Sequence, residues 1–508
     1  MTACSACFTR FRACAGYLVK TFTKGFTLLR MAYTPALSDR PRVLVVGGGY
    51  VGLYVALKLQ KKVKAHGGIV TLVDPLPYMT YQPFLPEVAA GSIESRHAVV
   101  SHRMHLKQTE VITGRVTSID HANKTAVVES EDGEVSFNVP YRDVVIAAGA
   151  VTRTFPIPGL AEEGIGLKTI EEALELRNTV LERIEAGSIM PDGPEKKRAL
   201  TFVCVGGGFA GIEAMTEIED MARHAAEHNP RLKRSDLRFV LVEAMGRIMP
   251  EVTEHQAEWV VEHMRSRGIE VLLNTSLASA VDGKLDLINM PDKTPAQSFE
   301  TDTLLWTAGV QANPVVRNFG FELDERGRVK ANAELRIIDA DGKPVEGAWT
   351  AGDVAAVPDL TGGGVGGFCV PNAQHAVRQA KHLAKNIYAE RWGVGQVEEY
   401  KHKNLGAVAG FGINKGVAKV MGVKLKGPLA WLAHRGYHGF AMPTVERKIR
   451  VIADWLLNAV LGRDTTEIAD LETPYRAFRT AATPAPKPKP AEKKAEDKAD
   501  EQAPADSR

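Results

Sequence analysis

The sequence predicts an α/β protein with two Rossmann-type units in one chain, followed by a C-terminal region of another character. Three observations carry this. A short apolar run, a glycine-rich turn and an amphipathic stretch follow one another from Arg42 to Lys64 and again from Ala199 to Ala225. Each set leads to a further apolar run that ends in an acidic residue, Asp74 in the first and Glu243 in the second. Each half then closes alike, on the turns Ala148-Gly149-Ala150 and Ala308-Gly309-Val310. Short apolar runs alternating with helical periodicity are what βαβ units on a parallel sheet require.

In chain order, Arg42 to Val46 reads as a buried strand, Gly47 to Gly52 as a turn, Leu53 to Lys64 as a helix and Ile69 to Val73 as the next strand. Val111 to Ile119, and Thr125 to Phe137 with a turn at Asp132-Gly133, alternate polar with apolar and predict hairpin structure. Strand Asp143 to Ala147 completes the first unit. The second has strand Ala199 to Val205, turn Gly206 to Gly211, a helix from Ile212 to about Ala225, strand Leu237 to Val242 and strand Leu304 to Thr307. The basic, polar stretch His224 to Arg238 reads as a surface insertion.

A chain of 508 residues exceeds one core and favours several domains. Hydrophobic content of 44%, charged content of 24% and a net charge of +2 are ordinary, and give no reason to expect a nucleic-acid partner. Five cysteines make no disulfide framework, and a reducing compartment fits best. The Cys4-Ser5-Ala6-Cys7 spacing has neither a second pair nor βαβ context, so no metal site is expected. Residues 1–38 hold five basic and no acidic side chains, which reads as a basic arm or targeting segment, or as a stretch preceding a translation start at Met31. No apolar run is long enough to cross a bilayer, so any membrane contact is peripheral. The Pro-, Lys- and Ala-rich tail, 478–508, predicts disorder.

Gly47-Gly48-Gly49-Tyr50-Val51-Gly52 follows a strand and opens a helix, which is the context in which G-x-G-x-x-G binds a dinucleotide. Gly47 allows the turn, Gly49 admits the pyrophosphate close to the backbone, and Gly52 lets helix pack on sheet. The helix N-terminus offers its amides to phosphate, and Asp74 stands where a carboxylate accepts from ribose hydroxyls. Trp349-Thr350-Ala351-Gly352-Asp353 resembles the flavoprotein element whose aspartate meets the ribityl and pyrophosphate region of FAD. A plain surface turn is its other reading. The FAD set is therefore Gly47, Gly49, Tyr50, Val51, Gly52, Asp74, Ala148, Gly149, Gly352 and Asp353.

Gly206-Gly207-Gly208-Phe209-Ala210-Gly211 repeats the fingerprint, and Glu243 ends the following strand. A carboxylate there accepts from the free 2′-hydroxyl of NADH and repels the phosphate of NADPH, although Arg247 nearby weakens the argument. The NADH set is Gly206, Gly208, Phe209, Ala210, Gly211, Glu243, Ala308 and Gly309. Glu213, in the first helical turn, is either a favourable dipole partner or a catalytic contact at the nicotinamide or flavin edge. Cys204 reads as an inert strand residue.

Together with Tyr81-Gln82-Pro83-Phe84-Leu85-Pro86-Glu87-Val88-Ala89-Ala90-Gly91 and Glu243-Ala244-Met245-Gly246-Arg247-Ile248-Met249-Pro250, these motifs resemble type II NADH dehydrogenases. Those are single-subunit, non-pumping NADH:quinone oxidoreductases of the FAD/NAD(P)-binding, glutathione-reductase-like superfamily. The resemblance spans roughly 41–475. It implies FAD as cofactor, NADH as co-substrate, and a membrane quinone, menaquinone or ubiquinone, as acceptor. It also implies that Pro371 to Gln379 forms the quinone pocket, with Gln374 against flavin and quinone and His375 and Arg378 beside it. The family's second glutamine is Arg378 here, and Leu405 stands where many members place a lysine, with Lys403 as a neighbouring substitute. His375 is either a proton relay or an ordinarily hydrogen-bonded helix residue.

The implied organisation is a basic extension over 1–40, an FAD-binding domain over 41–160 and 311–395, an NADH-binding domain over 161–310, a membrane-anchoring or dimerisation region over 396–477, and the tail. The family implies peripheral attachment at the cytoplasmic side of the cell membrane. Arg447 to Arg463 suits that, because Ile449, Ile452, Leu456, Ala459 and Val460 share one helix face. Arg447, Lys448, Arg450 and Arg463 would meet anionic lipid, with Trp431 and Trp455 at the interface. Packing on the body or on a second copy fits the spacing equally. Disulfide and sulfide:quinone reductases need cysteines beside the flavin, which the motifs lack. A redox sensor or docking flavoprotein that binds NADH is the reading of another class.

Overall fold

The computed structural model describes residues 37, 39–362, 364–402, 406–420, 422–468 and 473–482. The N-terminal cysteine pair, the basic extension up to Ala36, Lys403, Leu405 and the tail from Thr483 lie outside them.

The labelled elements are β1 (Arg42–Val46), α1 (Tyr50–Ala65), β2 (Ile69–Asp74), β3 (Thr109–Thr113), β4 (Asp143–Ile146), α2 (Ile170–Ile189), β5 (Thr201–Val205), α3 (Phe209–Glu227), β6 (Arg238–Val242), β7 (Ile269–Leu272) and β8 (Thr303–Trp306). They continue with β9 (Arg336–Ile338), β10 (Pro344–Thr350), α4 (Ala373–Trp392), β11 (Gly406–Gly410), β12 (Gly416–Val420), β13 (Val423–Lys426), α5 (Pro428–Ala441) and α6 (Val445–Leu461).

The first sheet has the order β9-β10-β4-β1-β2-β3 and is parallel except at β9. The second runs Gly164–Ile165, β8, β5, β6, β7, all parallel. In each, the strand before the glycine turn is central and buried along its whole length. A parallel strand covered on both faces needs continuous apolar side chains, so these runs were legible in sequence. The two glycine-turn exits pair with each other: Ala150–Thr152 lies antiparallel to Val310–Ala312.

The two fingerprint helices begin earlier than their periodicity suggests, at Tyr50 and Phe209. The last glycine of each motif lies inside the first turn. A Cβ on Gly52 would stand 1.8 Å from the Gly47 carbonyl oxygen, and one on Gly211 2.1 Å from that of Gly206. The expected Val111 to Ile119 run is divided at Gly114: β3 joins the main sheet beside β2, and Arg115–Asp120 enters a separate three-stranded sheet. A Cβ at Gly114 would meet the Glu129 carbonyl oxygen at 2.8 Å, so glycine allows the chain to change sheets there. Helix α3 runs to Glu227, taking in the start of the expected insertion, and Arg476–Ala482 is helical although the tail was expected to begin at 478. Phe478 and the flanking alanines favour helix locally more than the Pro-rich sequence beyond them.

Chain contacts separate a unit ending at Glu467 from one beginning at Ile468. Among the described residues, no helix is long and apolar enough to cross a membrane.

Candidate functional site

A cavity of about 530 Å³ opens at the carboxyl ends of β1, β2 and β4, beside the switch point where β1 leads on to β2 at one side while β4 lies at its other. Gly47, Gly49, Tyr50, Val51, Asp74, Ala148, Gly149, Gly352 and Asp353 all line it. Gly47 has φ +99°, and a Cβ there would meet the Ala147 carbonyl oxygen at 2.4 Å. No atom lies within 4 Å of a Cβ built on Gly49 or Gly149, so the cradle faces open space.

Asp74 does more than end its strand. Its carboxylate accepts from Gly48 N at 2.5 Å and Leu76 N at 2.8 Å, fixing the glycine turn to β2. Burial raises its pKa, against the pull of those two amides. Beside Asp74, buried His102 donates from Nε2 to the Gly48 carbonyl at 2.9 Å, and burial lowers its pKa, which favours the neutral ring. No motif marks His102 in the sequence, because a histidine one strand away becomes relevant only through packing.

The Ala351-Gly352-Asp353 segment closes one wall. Gly352 has φ +77° and a Cβ there would meet Val51 Cγ2 at 2.7 Å, while Gly352 N donates to Gln379 Oε1 at 2.8 Å. Burial pushes the Asp353 carboxyl up, opposed by Lys168 on the same wall. Lys168 was missed in sequence: it precedes the capping box of α2, where Glu172 accepts from Lys168 N and Thr169 N at 2.6 and 2.9 Å. Tyr50 brings a buried hydroxyl whose pKa burial raises, with the Gln82 backbone acting against that rise.

The second cradle repeats the device. Glu243 accepts from Gly207 N at 2.6 Å and Met245 N at 2.8 Å. Gly206, with φ +121°, sits against Thr307, and Gly208 and Gly309 face open space. Phe209 and Ala210 begin α3. Arg247 turns its guanidinium to the Val252 carbonyl.

Glu213 stands apart from the 530 Å³ cavity's lining. Its Oε1 accepts from Gly410 N at 3.0 Å and lies 3.3 Å from His434 Nε2, tying the first turn of α3 to β11 and α5. Burial disfavours the charged His434 ring, but the hydrogen bond and charge of Glu213, with the Glu87 charge, raise its pKa overall.

Helix α4 is capped by Asn372, which accepts from His375 N at 2.8 Å. Its Ala373 and Ala376 line the cavity, and Gln374 is the next residue along, its Oε1 accepting from His402 Nε2 at 3.4 Å. His375 is buried and shares a 3.0 Å hydrogen bond with the Tyr400 hydroxyl. Arg378 folds back onto the Gln374 carbonyl at 3.0 Å.

The segment from Tyr81 to Gly91 is gripped by the C-terminal helices. Tyr81 and His438 share a hydrogen bond, Trp455 Nε1 donates to Glu87 Oε2 at 2.6 Å, and Asn458 donates to the Ser92 carbonyl. Helix α6 therefore meets the body through polar side chains and Val451, and turns Ile449, Ile452, Leu456 and Val460 outward. This corrects three expectations. Arg463 is buried against Glu217 at 2.7 Å, Arg447 donates to the Arg96 carbonyl, and Trp455 is spent on Glu87, so none of these side chains is presented as a free surface anchor. Helical spacing identifies faces but not which face the body takes.

Cys204 and Cys369 are both buried and unbridged, and burial pushes their thiols up to about 12 and about 11. Neither is a poised thiolate. A larger hollow, about 810 Å³, lies between the ends of α2 and α3 and shares no residue with either cradle.

The sequence model of the family described as pyridine nucleotide-disulphide oxidoreductase matches residues 41–380. A type II NADH:quinone oxidoreductase, Ndh, of Mycobacterium tuberculosis is 29% identical over 434 residues, covering 84% of this chain and 89% of that protein. A probable NADH dehydrogenase of Dictyostelium discoideum is 27% identical over 433 residues, covering 84% and 91%. Among solved structures, NDH2 from Plasmodium falciparum in complex with NADH matches with a TM-score of 0.76 and 18% identity, over 84% of this chain and all of that one.

Proposed function

The chain belongs to the pyridine nucleotide-disulphide oxidoreductase family, and from that premise we propose that it is an NADH:quinone oxidoreductase that uses FAD and lies on a membrane surface. One observation carries the reading: two glycine cradles, each held by its own carboxylate, are linked by the pairing of Ala150–Thr152 with Val310–Ala312. That link keeps whatever each cradle holds in a fixed relation to the other.

The first cradle suits FAD. Open backbone at Gly49 and Gly149 admits a pyrophosphate, Asp353 and Lys168 offer both charges along the wall, and Tyr50 adds an aromatic ring and a hydroxyl to the lining. Bound there, FAD supplies the two-electron chemistry that joins a hydride donor to a quinone acceptor. The second cradle suits NADH: the Glu243 carboxylate disfavours a 2′-phosphate, and Arg247 is engaged with backbone instead of being offered to one. Gln374, at the start of α4, is the residue for the acceptor side, with His375 and Arg378 holding its helix turn. Glu213 acts by position, coupling the NADH-side helix α3 to β11 and α5.

The domains follow the two cradles: FAD over 41–160 and 311–395, NADH over 161–310, and a C-terminal region over 396–477 whose outward apolar side chains on α5 and α6 rest in the cytoplasmic leaflet. The names and extents of the M. tuberculosis and D. discoideum relatives support this reading. Stopped-flow mixing with NADH should bleach the flavin rapidly, and a menaquinone or ubiquinone analogue should restore it. Bleaching without restoration by any quinone would turn the reading toward a redox sensor.

A further inference from the structure

Helices α1 and α4 lie side by side, and their outer surface is cationic. The sixteen residues of α1 include no acidic side chain but hold Lys58, Lys61 and Lys62. Helix α4 adds Arg378, Lys381 and Lys385 before its first acid, Glu390, which is paired with Arg336 at 2.9 Å. Among the described residues, none of the five lysines has a carboxylate partner within salt-bridge distance, and Lys58, Lys61, Lys62, Lys381 and Lys385 are all exposed. Burial, then the charges of Lys58 and Arg378, lower the pKa of Lys381, so the cations converge closely enough to disfavour one another. Such a concentration of one sign is ordinarily relieved by an anionic partner.

The ridge also has a defined neighbour. Lys381 Nζ stands 5.4 Å from the centre of the Tyr54 ring, whose pKa is raised by burial and then by Tyr437 on α5. Tyr437 edges the face on which α5 exposes Leu429, Leu432 and Phe440. Tyr54 and Tyr437 thus interact across the interval between the cationic ridge and the outward apolar surface. An apolar surface bordered by lysines matches the acyl-to-headgroup boundary of an anionic bilayer, which the aromatic rings of Tyr54 and Tyr437 also suit.

We propose that Lys58, Lys381 and Lys385, on the ridge formed by α1 and α4, bind the phosphate headgroups of anionic lipids beside the apolar face of α5. This rests on the membrane reading given above and adds to it the lipid class and the residues that select it. The charge of α1 and α4 adds to that of α6, where Arg447 and Arg463 are engaged with the body while Lys448 stands over the exposed Phe440 ring.

Flotation of the full-length flavin-loaded protein with vesicles separates the two claims. The vesicles are phosphatidylcholine alone, or phosphatidylcholine mixed with phosphatidylglycerol. Wild type should partition more strongly onto the mixed vesicles, and high salt should remove the excess. Lys58→Ala with Lys381→Ala and Lys385→Ala should lower partition onto the mixed vesicles by about tenfold or more. Partition onto phosphatidylcholine and NADH oxidation with a soluble acceptor should stay unchanged. An unaltered preference for the anionic vesicles, or an equal loss on both kinds, would overturn the ridge proposal. If wild type floats with neither, the membrane reading itself fails.

Discussion

The Tyr81 hydroxyl and His438 Nδ1 lie 3.0 Å apart although 357 residues separate them in the chain. Tyr81 follows Met79 and Thr80 and precedes Gln82, all of which line the 530 Å³ cavity, and His438 belongs to α5. This bond thus joins the wall of the 530 Å³ cavity to the helix bearing the outward apolar surface. Tyr81→Phe should cost about 1 kcal/mol of stability, read by denaturant unfolding. It should also slow flavin reoxidation by quinone more than flavin reduction by NADH. Equal slowing of both half-reactions would assign Tyr81 to general packing.

Gly52→Ala and Gly211→Ala test the two cradles separately. Each would press a methyl group onto a carbonyl oxygen, at 1.8 Å for Gly52 and 2.1 Å for Gly211, and destabilise by about 1–3 kcal/mol. The first should yield protein that has lost most of its flavin absorbance. The second should keep its flavin and show a raised KM for NADH. Reversal of these outcomes would exchange the cofactor assignments.

Glu243→Gln removes a charge but keeps an acceptor for one of the two amides it now holds. NADH should bind less well, and discrimination against NADPH should fall by about tenfold, the equivalent of losing roughly 1.4 kcal/mol of selectivity. Steady-state kcat/KM for both nucleotides measures it; unchanged discrimination would place the selectivity elsewhere.

His434 faces Glu213 from α3, Glu87 from the segment after Tyr81, and Arg435 and His438 from its own helix. Its folded-state pKa is raised, so the stability it contributes is fully present below the unfolded value, ~6.5, and is lost as pH rises through the higher folded value. Unfolding free energy should therefore decline across that window. Glu213→Gln should flatten the decline and cost about 1–3 kcal/mol on the acid side. A slope identical to wild type would remove the pair from the pH response.

On α6, Ile452 is 45% and Leu456 64% exposed, while Val451 beside them is fully buried. Ile452→Ser with Leu456→Ser should leave thermal stability within about 0.5 kcal/mol and sharply reduce flotation with vesicles. Val451→Ser should destabilise by about 2 kcal/mol. If the double change instead splits a dimer in sedimentation and leaves flotation intact, a second copy of the chain covers this face.

The two βαβ units are written in the residues themselves, because a buried parallel strand, a turn at positive φ and a carboxylate at the end of the next strand each demand particular residue types at fixed spacing. Gly47, Gly52, Asp74, Gly206, Gly211 and Glu243 were legible for that reason. Packing, by contrast, is what makes Asp74 and Glu243 hold their own glycine turns, brings His102 and Lys168 to the first cleft, and turns Glu213 to His434. The same holds for α6, whose polar side chains take the body and whose apolar ones face outward. Periodicity records which residues share a face. Which face is covered depends on partners hundreds of residues away, and those are fixed only when the chain packs.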